Sequence, residues 1–267
     1  MMNALQNPIQ IADAAKGRLP DRLFRQYCDL VYAQCGIKLN DDKRELLNAR
    51  LGRRLRYLNA SAEQYLSIIR TDATERERFV DAISTNHTFF FREAAAFKVI
   101  DAGCRHIWCA AASSGEEPYS LAAYCHFHSI RASILATDIS ASCLDKGRAG
   151  VYPLDSRRHI PVPILKQCFQ KGTRQCDGMM RVKPEVKRSV RFERFNLLTD
   201  PVPNQTFDVI FCRNVMIYFD PPTKEKVVHK LSRALLKGGY FIIGGAESLN
   251  GLNHKLAYMS PSVYQKP

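Results

Sequence analysis

An α/β fold with a mainly parallel sheet, entered from an all-helical segment, is predicted by two contrasting textures in the 267 residues. From residue 105 onward, short apolar runs alternate with helical patterns, as expected of β-α-β units. Before that, residues 20 to 84 keep helical periodicity and show no strand-like alternation. A third feature interrupts the α/β part. Residues 151 to 200 are basic, carry Pro153, Pro161, Pro163 and Pro184, and contain the strand-like pieces MMRVK and SVRFERF. They read as a small β insertion.

Each element follows from a local signal. Leu46, Leu47, Leu51, Leu55 and Leu58 hold helical spacing, while Lys43, Arg50, Arg53 and Arg54 fall on another face. The pattern breaks at Asn59 to Ser61, and SAEQYLSII starts a new helix with Ser61 as its cap. HIWCAAA (106–112) is a buried strand, followed by the turn SSGEEP and the helix YSLAAYCHFH. RASILATDI (131–139) is a second strand, with ASCLDKGRA helical after it. FDVIFCRNVMIYF (207–219) contains a third. PPTKEKVVHKLSRALLKGG reads as a helix begun by Pro and ended by Gly. YFIIGGAES (240–248) is a fourth strand, and LAYMSPSVYQK is a closing hairpin. The expected divisions are a helical domain over 1–84, a linker helix over 85–104, and an α/β domain over 105–267 with its insertion at 152–192.

Composition narrows the function classes. No apolar run approaches the length of a membrane span. The N-terminus MMNALQNPIQIADAAKGRLP lacks a charged-then-apolar targeting design, so a cytoplasmic protein without membrane insertion is expected. Nine cysteines, an odd number without a CxxC pair, indicate neither a metal site nor a disulfide framework, and reduced thiols are expected. The net charge of +13 favours nucleic acid, an anionic membrane surface or a carboxylate-rich protein as partner. The charge is local. Residues 43 to 56 hold six basic residues and one acid, and residues 146 to 193 hold twelve and four.

The turn after the first strand, ASSGEEP, occupies the place where doubly wound sheets meet their ligands. It lacks GxGxxG and offers Glu116 and Glu117 instead. Carboxylates there repel a pyrophosphate and attract an ammonium group; they also suit the first turn of any helix. Asp138 ends the second strand, where an acid holds ribose hydroxyls or caps the next helix. Together, Glu117 and Asp138 suit a nucleoside with an amino-acid tail, which describes S-adenosylmethionine. FNLL (195–198) places Asn196 at the end of an apolar piece. Arg213, Asn214 and Tyr218 stand just past the third strand, over the crevice, although Arg213 also reads as a surface charge and Tyr218 as a core ring.

The set TNHTFFFRE, WCAAASSGEEPYSLA, ATDIS, NLL and FDVIFCRNVMIYFD closely resembles the CheR-type chemotaxis receptor glutamate methyltransferases, from about residue 20 to the C-terminus. The chain departs from that pattern by shorter connections between Phe97 and Trp108 and between Ser120 and Asp138. The resemblance implies a helical domain joined to a Rossmann-like S-adenosylmethionine-dependent methyltransferase domain that carries a small antiparallel β subdomain. It implies methyl esterification of glutamates on the cytoplasmic helices of chemoreceptors, with S-adenosylhomocysteine as product. By that pattern, Asn86, Thr88 and Arg92 face the cofactor near its reactive end, and Ala111 belongs to the same pocket. Glu117 takes the ammonium and Asp138 the ribose. Asn196 and Leu197 flank the adenine, Arg213 and Asn214 close the pocket, and Tyr218 lies close to the transferring methyl. The basic helix with Arg50, Arg53 and Arg54 resembles a receptor-facing surface, and the insertion resembles the part that docks a receptor's C-terminal peptide in some members.

The chemistry agrees with what the chain lacks. A glutamate nucleophile, with a pKa of about 4.3, is already ionised at neutral pH, so no strong base, metal or nucleophilic side chain is needed. Phe89, Phe90 and Phe91 are expected to dry the seam between the two domains and hold Arg92 at the mouth, where it orients the incoming carboxylate. The plainer alternative is a packing helix with Arg92 paired to Glu93. A charged helix face such as Arg50 to Arg54 is also often merely solvated. Two other functions stay open: a nucleic-acid methyltransferase, and a non-catalytic S-adenosylmethionine-binding sensor. The first should show an aromatic pocket run such as Asn-Pro-Pro-Tyr. Here the matching stretch is RNVMIYF, with Pro221 and Pro222 only after Asp220.

Overall fold

The computed structural model describes residues 19–267. Residues 1–18, which hold most of the stretch read for a targeting signal, lie outside the described residues. The chain divides into two compact units, Met1–Thr85 and Asn86–Pro267.

The first unit contains helices α1 (Asp21–Cys35), α2 (Arg44–Leu58), α3 (Ala62–Thr71) and α4 (Ala73–Ile83). Leu47, Leu51 and Leu55 line the buried side of α2, as i, i+4 and i+8 should. Leu46 is exposed and Leu58 half-buried, so the buried stripe is narrower than the leucine pattern suggests. Ser61 and Gln64 form a reciprocal capping box at the start of α3.

The basic face of α2 is partly turned inward. Arg54 forks onto buried Glu75, at the start of α4, with two contacts of 2.5 Å, and the Tyr65 hydroxyl donates to the same carboxylate at 2.8 Å. Arg50 donates to the Ile83 and Ser84 carbonyls at the other end of α4. Those last carbonyls carry the negative end of the helix dipole, so a guanidinium suits them. Arg50 and Arg54 therefore staple α2 to both ends of α4, while Arg53 stays exposed.

The second unit opens with β1 (His106–Cys109), α5 (Glu116–Phe127), β2 (Ser133–Asp138) and α6 (Ala141–Ala149). An excursion follows: β3 (Val151–Pro153), α7 (Val162–Cys168), β4 (Phe169–Lys171), β5 (Met179–Val182) and the short α8 (Pro184–Lys187). Then come β6 (Val190–Arg194), β7 (Phe207–Phe211), α9 (Pro221–Ala234), β8 (Leu235–Ile242), β9 (Ala257–Ser260) and β10 (Val263–Gln265). The main sheet has seven strands in the order β6-β2-β1-β7-β8-β10-β9. The first five are parallel, and β10 and β9 close the edge as an antiparallel hairpin. The excursion forms its own antiparallel sheet, β3-β5-β4. Strand order departs in both directions from β1 and β7, and such a switch point opens a crevice at the strands' carboxyl ends.

Three local expectations are corrected. SVRFERF, read as part of the insertion at 152–192, supplies β6, which pairs in parallel with β2. Strand alternation alone does not reveal which sheet a strand joins. The expected linker helix over 85–104 is a turn followed by a 3-10 helix, Ala94–Val99. Phe91 and Glu93 adopt φ of 56° and 49°, which a continuous right-handed helix cannot contain. The helix α9 ends at Ala234, and LLKGG already belongs to β8, whose pairing with β7 shifts register between Phe207 and Val209. Among the described residues no helix is long and apolar enough to cross a membrane.

Arg54→Ala would strip Glu75 of its main counter-charge. Because Arg54 keeps some solvent contact, the expected cost is about 2 kcal/mol rather than that of a fully buried pair. Backbone amides of α4 should then exchange hydrogen roughly 30-fold faster. Arg53→Ala should leave that exchange unchanged.

Candidate active site

The turn leaving β1 is held from both sides. Ala110 N–H donates to the Phe211 carbonyl of β7 at 2.8 Å, and Ala112 N–H donates to Thr137 of β2 at 2.9 Å. Ala111 is suspended between them, half-buried. Gly115 then adopts φ of 98°, and a Cβ there would lie 2.8 Å from the Tyr152 hydroxyl and 3.0 Å from Gly147 Cα. That hydroxyl donates to the Ser114 carbonyl at 2.8 Å, so only glycine lets the turn pass beneath Tyr152.

Asp138 closes the neighbouring edge. Its carboxylate accepts the Ser113 N–H at 2.7 Å and the Ser140 N–H at 2.9 Å. Ser140, not Asp138, caps α6, through a bond from Cys143 N–H at 3.2 Å. The capping alternative for Asp138 thus passes to its neighbour. The Asp138 carbonyl accepts Phe195 N–H at 3.0 Å, which brings the FNLL segment alongside. Asn196 Oδ1 accepts from Leu198 N–H at 2.9 Å, and Asp200 holds the Asn196 N–H at 2.8 Å. Lys230 in turn donates to the Asp200 carbonyl at 2.7 Å. Leu197 is buried in this loop.

Arg213 is no surface charge: its side chain is 2 % exposed. One guanidinium nitrogen donates to Glu117 Oε1. Another donates to Glu93 Oε2 and to the Arg92 carbonyl, each at 2.9 Å. Its Nε is buried with no hydrogen-bond partner among the described residues. Burial raises the Glu117 pKa, and Arg213 only partly counters it. Burial also pushes Glu93 upward, but the bonds from Arg213 and from Gly245 N–H overcome it, and its pKa is lowered. Burial works against the Arg213 charge, and the two carboxylates more than restore it.

The stretch TNHTFFFRE is now explained in parts. Asn86 accepts from the Ser113 hydroxyl at 3.3 Å through its carbonyl, and Thr88 lies half-buried two residues on. The three phenylalanines do not share one task. Phe90 is fully buried against Tyr152 and Phe169, with centroids 4.9 and 5.3 Å away. Phe89 meets His159 at 4.7 Å, and Phe91 meets Phe97 at 5.9 Å. Phe90 and Phe91 belong to the core of the second unit, whereas Phe89 is half-buried beside the exposed His159. Arg92 keeps a quarter-exposed side chain, donating to the His87 carbonyl at 3.1 Å and lying 3.6 Å from Glu93. The pairing with Glu93 that the plainer alternative expects is thus present, although Arg213 holds Glu93 more closely, at 2.9 Å.

Asn214 follows directly, with φ of 57°. Tyr218 is half-buried at the end of the 3-10 helix Met216–Tyr218. Because β1, β2, β6 and β7 are parallel, Ala111, Glu117, Asp138, Asn196, Leu197, Arg213 and Asn214 all gather at the carboxyl ends of these strands. Arg50, Arg53 and Arg54 belong to the first unit. Sequence reasoning missed Glu93 as the partner of Arg213, Asp200 and Lys230 as supports of the Asn196 loop, and Glu247, whose carboxylate accepts the Asn214 N–H at 2.9 Å. Only Asp200 carried a readable signal, an acid four residues after Asn196. Chemically, the donor set fits S-adenosylmethionine. A buried carboxylate of raised pKa gains from a cation, and a second carboxylate is preset by two backbone donors.

Comparison with known proteins agrees over both units. The model of the CheR methyltransferase SAM binding domain matches residues 86–264, and that of the CheR methyltransferase all-alpha domain matches residues 22–84. The chemotaxis protein methyltransferase of Salmonella typhimurium is 38% identical over 261 residues, covering 92% of this chain and 90% of that protein. Chemotaxis protein methyltransferase 2 of Pseudomonas aeruginosa is 37% identical over 257 residues, covering 90% and 91%. Chemotaxis protein methyltransferase 1 of Vibrio cholerae is 38% identical over 272 residues, covering 93% and 98%.

An ammonium bound beside Glu117 stabilises its ionised form. Below the raised Glu117 pKa, binding must therefore release a proton, and affinity must weaken as pH falls through that window, which lies above the ordinary carboxylate value. Titration calorimetry with S-adenosylhomocysteine across this range is expected to show proton release at the lower pH. Glu117→Gln should bind more weakly and lose the pH dependence.

Proposed function

This chain belongs to the CheR methyltransferase family, and on that premise we propose that it methylates glutamate side chains on the cytoplasmic helices of chemotaxis receptors, as part of sensory adaptation. It is an S-adenosylmethionine-dependent methyltransferase. What most supports the finer reading is the pair of carboxylates, Glu117 in the first turn of the helix that follows β1 and Asp138 at the end of the adjacent parallel β2, together with a family match that spans both units.

The cofactor supplies a methyl group on a positively charged sulfur. Glu117 binds its ammonium, Asp138 the ribose hydroxyls, and Asn196 and Leu197 the adenine. Asn86, Thr88, Ala111, Arg213 and Asn214 complete the pocket. Tyr218 borders the methyl, and Arg92 orients the incoming glutamate by a charge-assisted hydrogen bond. The substrate carboxylate arrives ionised, so the protein need not remove a proton. Its contribution is to align donor and acceptor and to exclude water, and alignment alone supplies about 7–11 kcal/mol in favourable cases.

Two surfaces are assigned to the receptor. The basic face of α2, with Arg53 outermost and Arg50 and Arg54 behind it, attracts the acidic methylation helices. The groove of the β3-β5-β4 sheet has Leu154, Leu165, Phe169 and Met180 as floor and Arg157, Lys166 and Lys171 as rim. It suits a receptor's C-terminal peptide. A cytoplasmic location follows from that partner. The nucleic-acid alternative has no observation in its favour beyond positive charge.

Transfer of labelled methyl to receptor cytoplasmic fragments should give an alkali-labile ester. Label in nucleic acid instead would overturn the reading. Arg92→Ala is expected to slow transfer on the order of 100-fold. Near-wild-type transfer with unchanged cofactor affinity would remove Arg92 from its role.

A further inference from the structure

Glu247 has no part in the chemistry above. It lies past β8, in a turn that its own N–H closes onto the Gly244 carbonyl at 2.9 Å. Its carboxylate then reaches back to accept three backbone donors. Oε2 takes Gly244 N–H at 2.6 Å and Asn214 N–H at 2.9 Å, and Oε1 takes Ile217 N–H at 3.2 Å. Two of the three come from the segment after β7 that carries Asn214 and Tyr218. Asn214 sits in the left-handed region, an uncommon place for a residue with a side chain. A Cβ on Gly244 would stand 2.4 Å from Asn214 Nδ2, so the two loops are in close contact. The β7 and β8 strands are sheet neighbours, and Glu247 ties their outgoing loops together.

We propose that Glu247 is a positioning residue for methyl transfer: its carboxylate sets the loop from Asn214 to Tyr218 in the conformation that turnover requires. The proposal rests on the assignment of Asn214 and Tyr218 to the site. The two oxygens divide the work. Oε2 serves the end of the loop at Asn214, on the cofactor side. Oε1 serves Ile217, next to Tyr218. Glutamine keeps one acceptor oxygen, enough for Gly244 and Asn214, and turns an amide N–H toward Ile217 N–H. Alanine removes all three bonds.

Glu247→Gln is therefore expected to lower kcat about tenfold, the scale of one lost hydrogen bond, at unchanged affinity for S-adenosylhomocysteine. Glu247→Ala should lower kcat further and weaken that affinity. Amide exchange of the same proteins should show Ile217 alone deprotected in the glutamine variant, and Asn214, Ile217 and Gly244 in the alanine variant. If Glu247→Ala fails to fold, the glutamine variant, isosteric and with two bonds retained, carries the test. A purely structural Glu247 would instead lower stability and cofactor affinity together and leave the kcat of the folded fraction at the wild-type level. That result, or a wild-type kcat with the Ile217 amide deprotected, overturns the proposal. Tyr218→Phe separates the two assignments. If it is slow and Glu247→Gln slows it no further, Glu247 acts through Tyr218. If it turns over at the wild-type rate, the Tyr218 role falls, while the kcat of Glu247→Gln still decides the role of Glu247.

Discussion

A buried guanidinium organises the second unit. Arg213, at the end of β7, is tied at once to Glu117 in the first turn of α5, to Glu93, and to the main chain at Arg92. Desolvating such a cation is costly, and removing it would leave the buried Glu117 carboxylate without its counter-charge. Buried ion pairs add little net stability, so the gain here is geometric. Three segments distant in sequence are held in one relation, and the left-handed turns at Phe91 and Glu93 are fixed by bonds from outside the segment. One oxygen of Glu117 is engaged by Arg213, yet burial still raises the Glu117 pKa, so the carboxylate remains short of positive charge. Under the proposed assignment, an incoming ammonium meets that need.

Much of the site was legible because strand ends are legible. Asp138 ends β2 and Glu117 opens the helix that follows β1, and in a parallel sheet both positions lie at the carboxyl edge. Glu93 and Glu247 were not legible, since their roles depend on which strands are neighbours and which loops meet. The same limit applied to SVRFERF: its alternation marked a strand, but only its pairing with β2 assigned it to the main sheet. In the first unit, helical spacing separated a basic face from a leucine face on α2. It could not reveal that Glu75 of α4 claims Arg54, because no local pattern links residues on separate helices.

The phenylalanines before Arg92 show what short-range reading leaves out. Three adjacent rings suggest a single apolar wall. In the folded chain the backbone turns between them, and each ring finds a different aromatic neighbour. Phe90 anchors the segment in the core, Phe91 lends its N–H to Ser120, and Arg92 is left with a quarter of its side chain exposed.

The β3-β5-β4 excursion hangs inside one strand-to-strand crossover, between α6 and β6. Its outer faces can drift over generations, trading charges or lengthening hairpins, without disturbing the order of the main strands. Its inner side is tied down instead. The Tyr152 hydroxyl holds the bend at Ser114 and Gly115, and Phe169 packs on Phe90, so a redesigned excursion would have to keep these two rings in place.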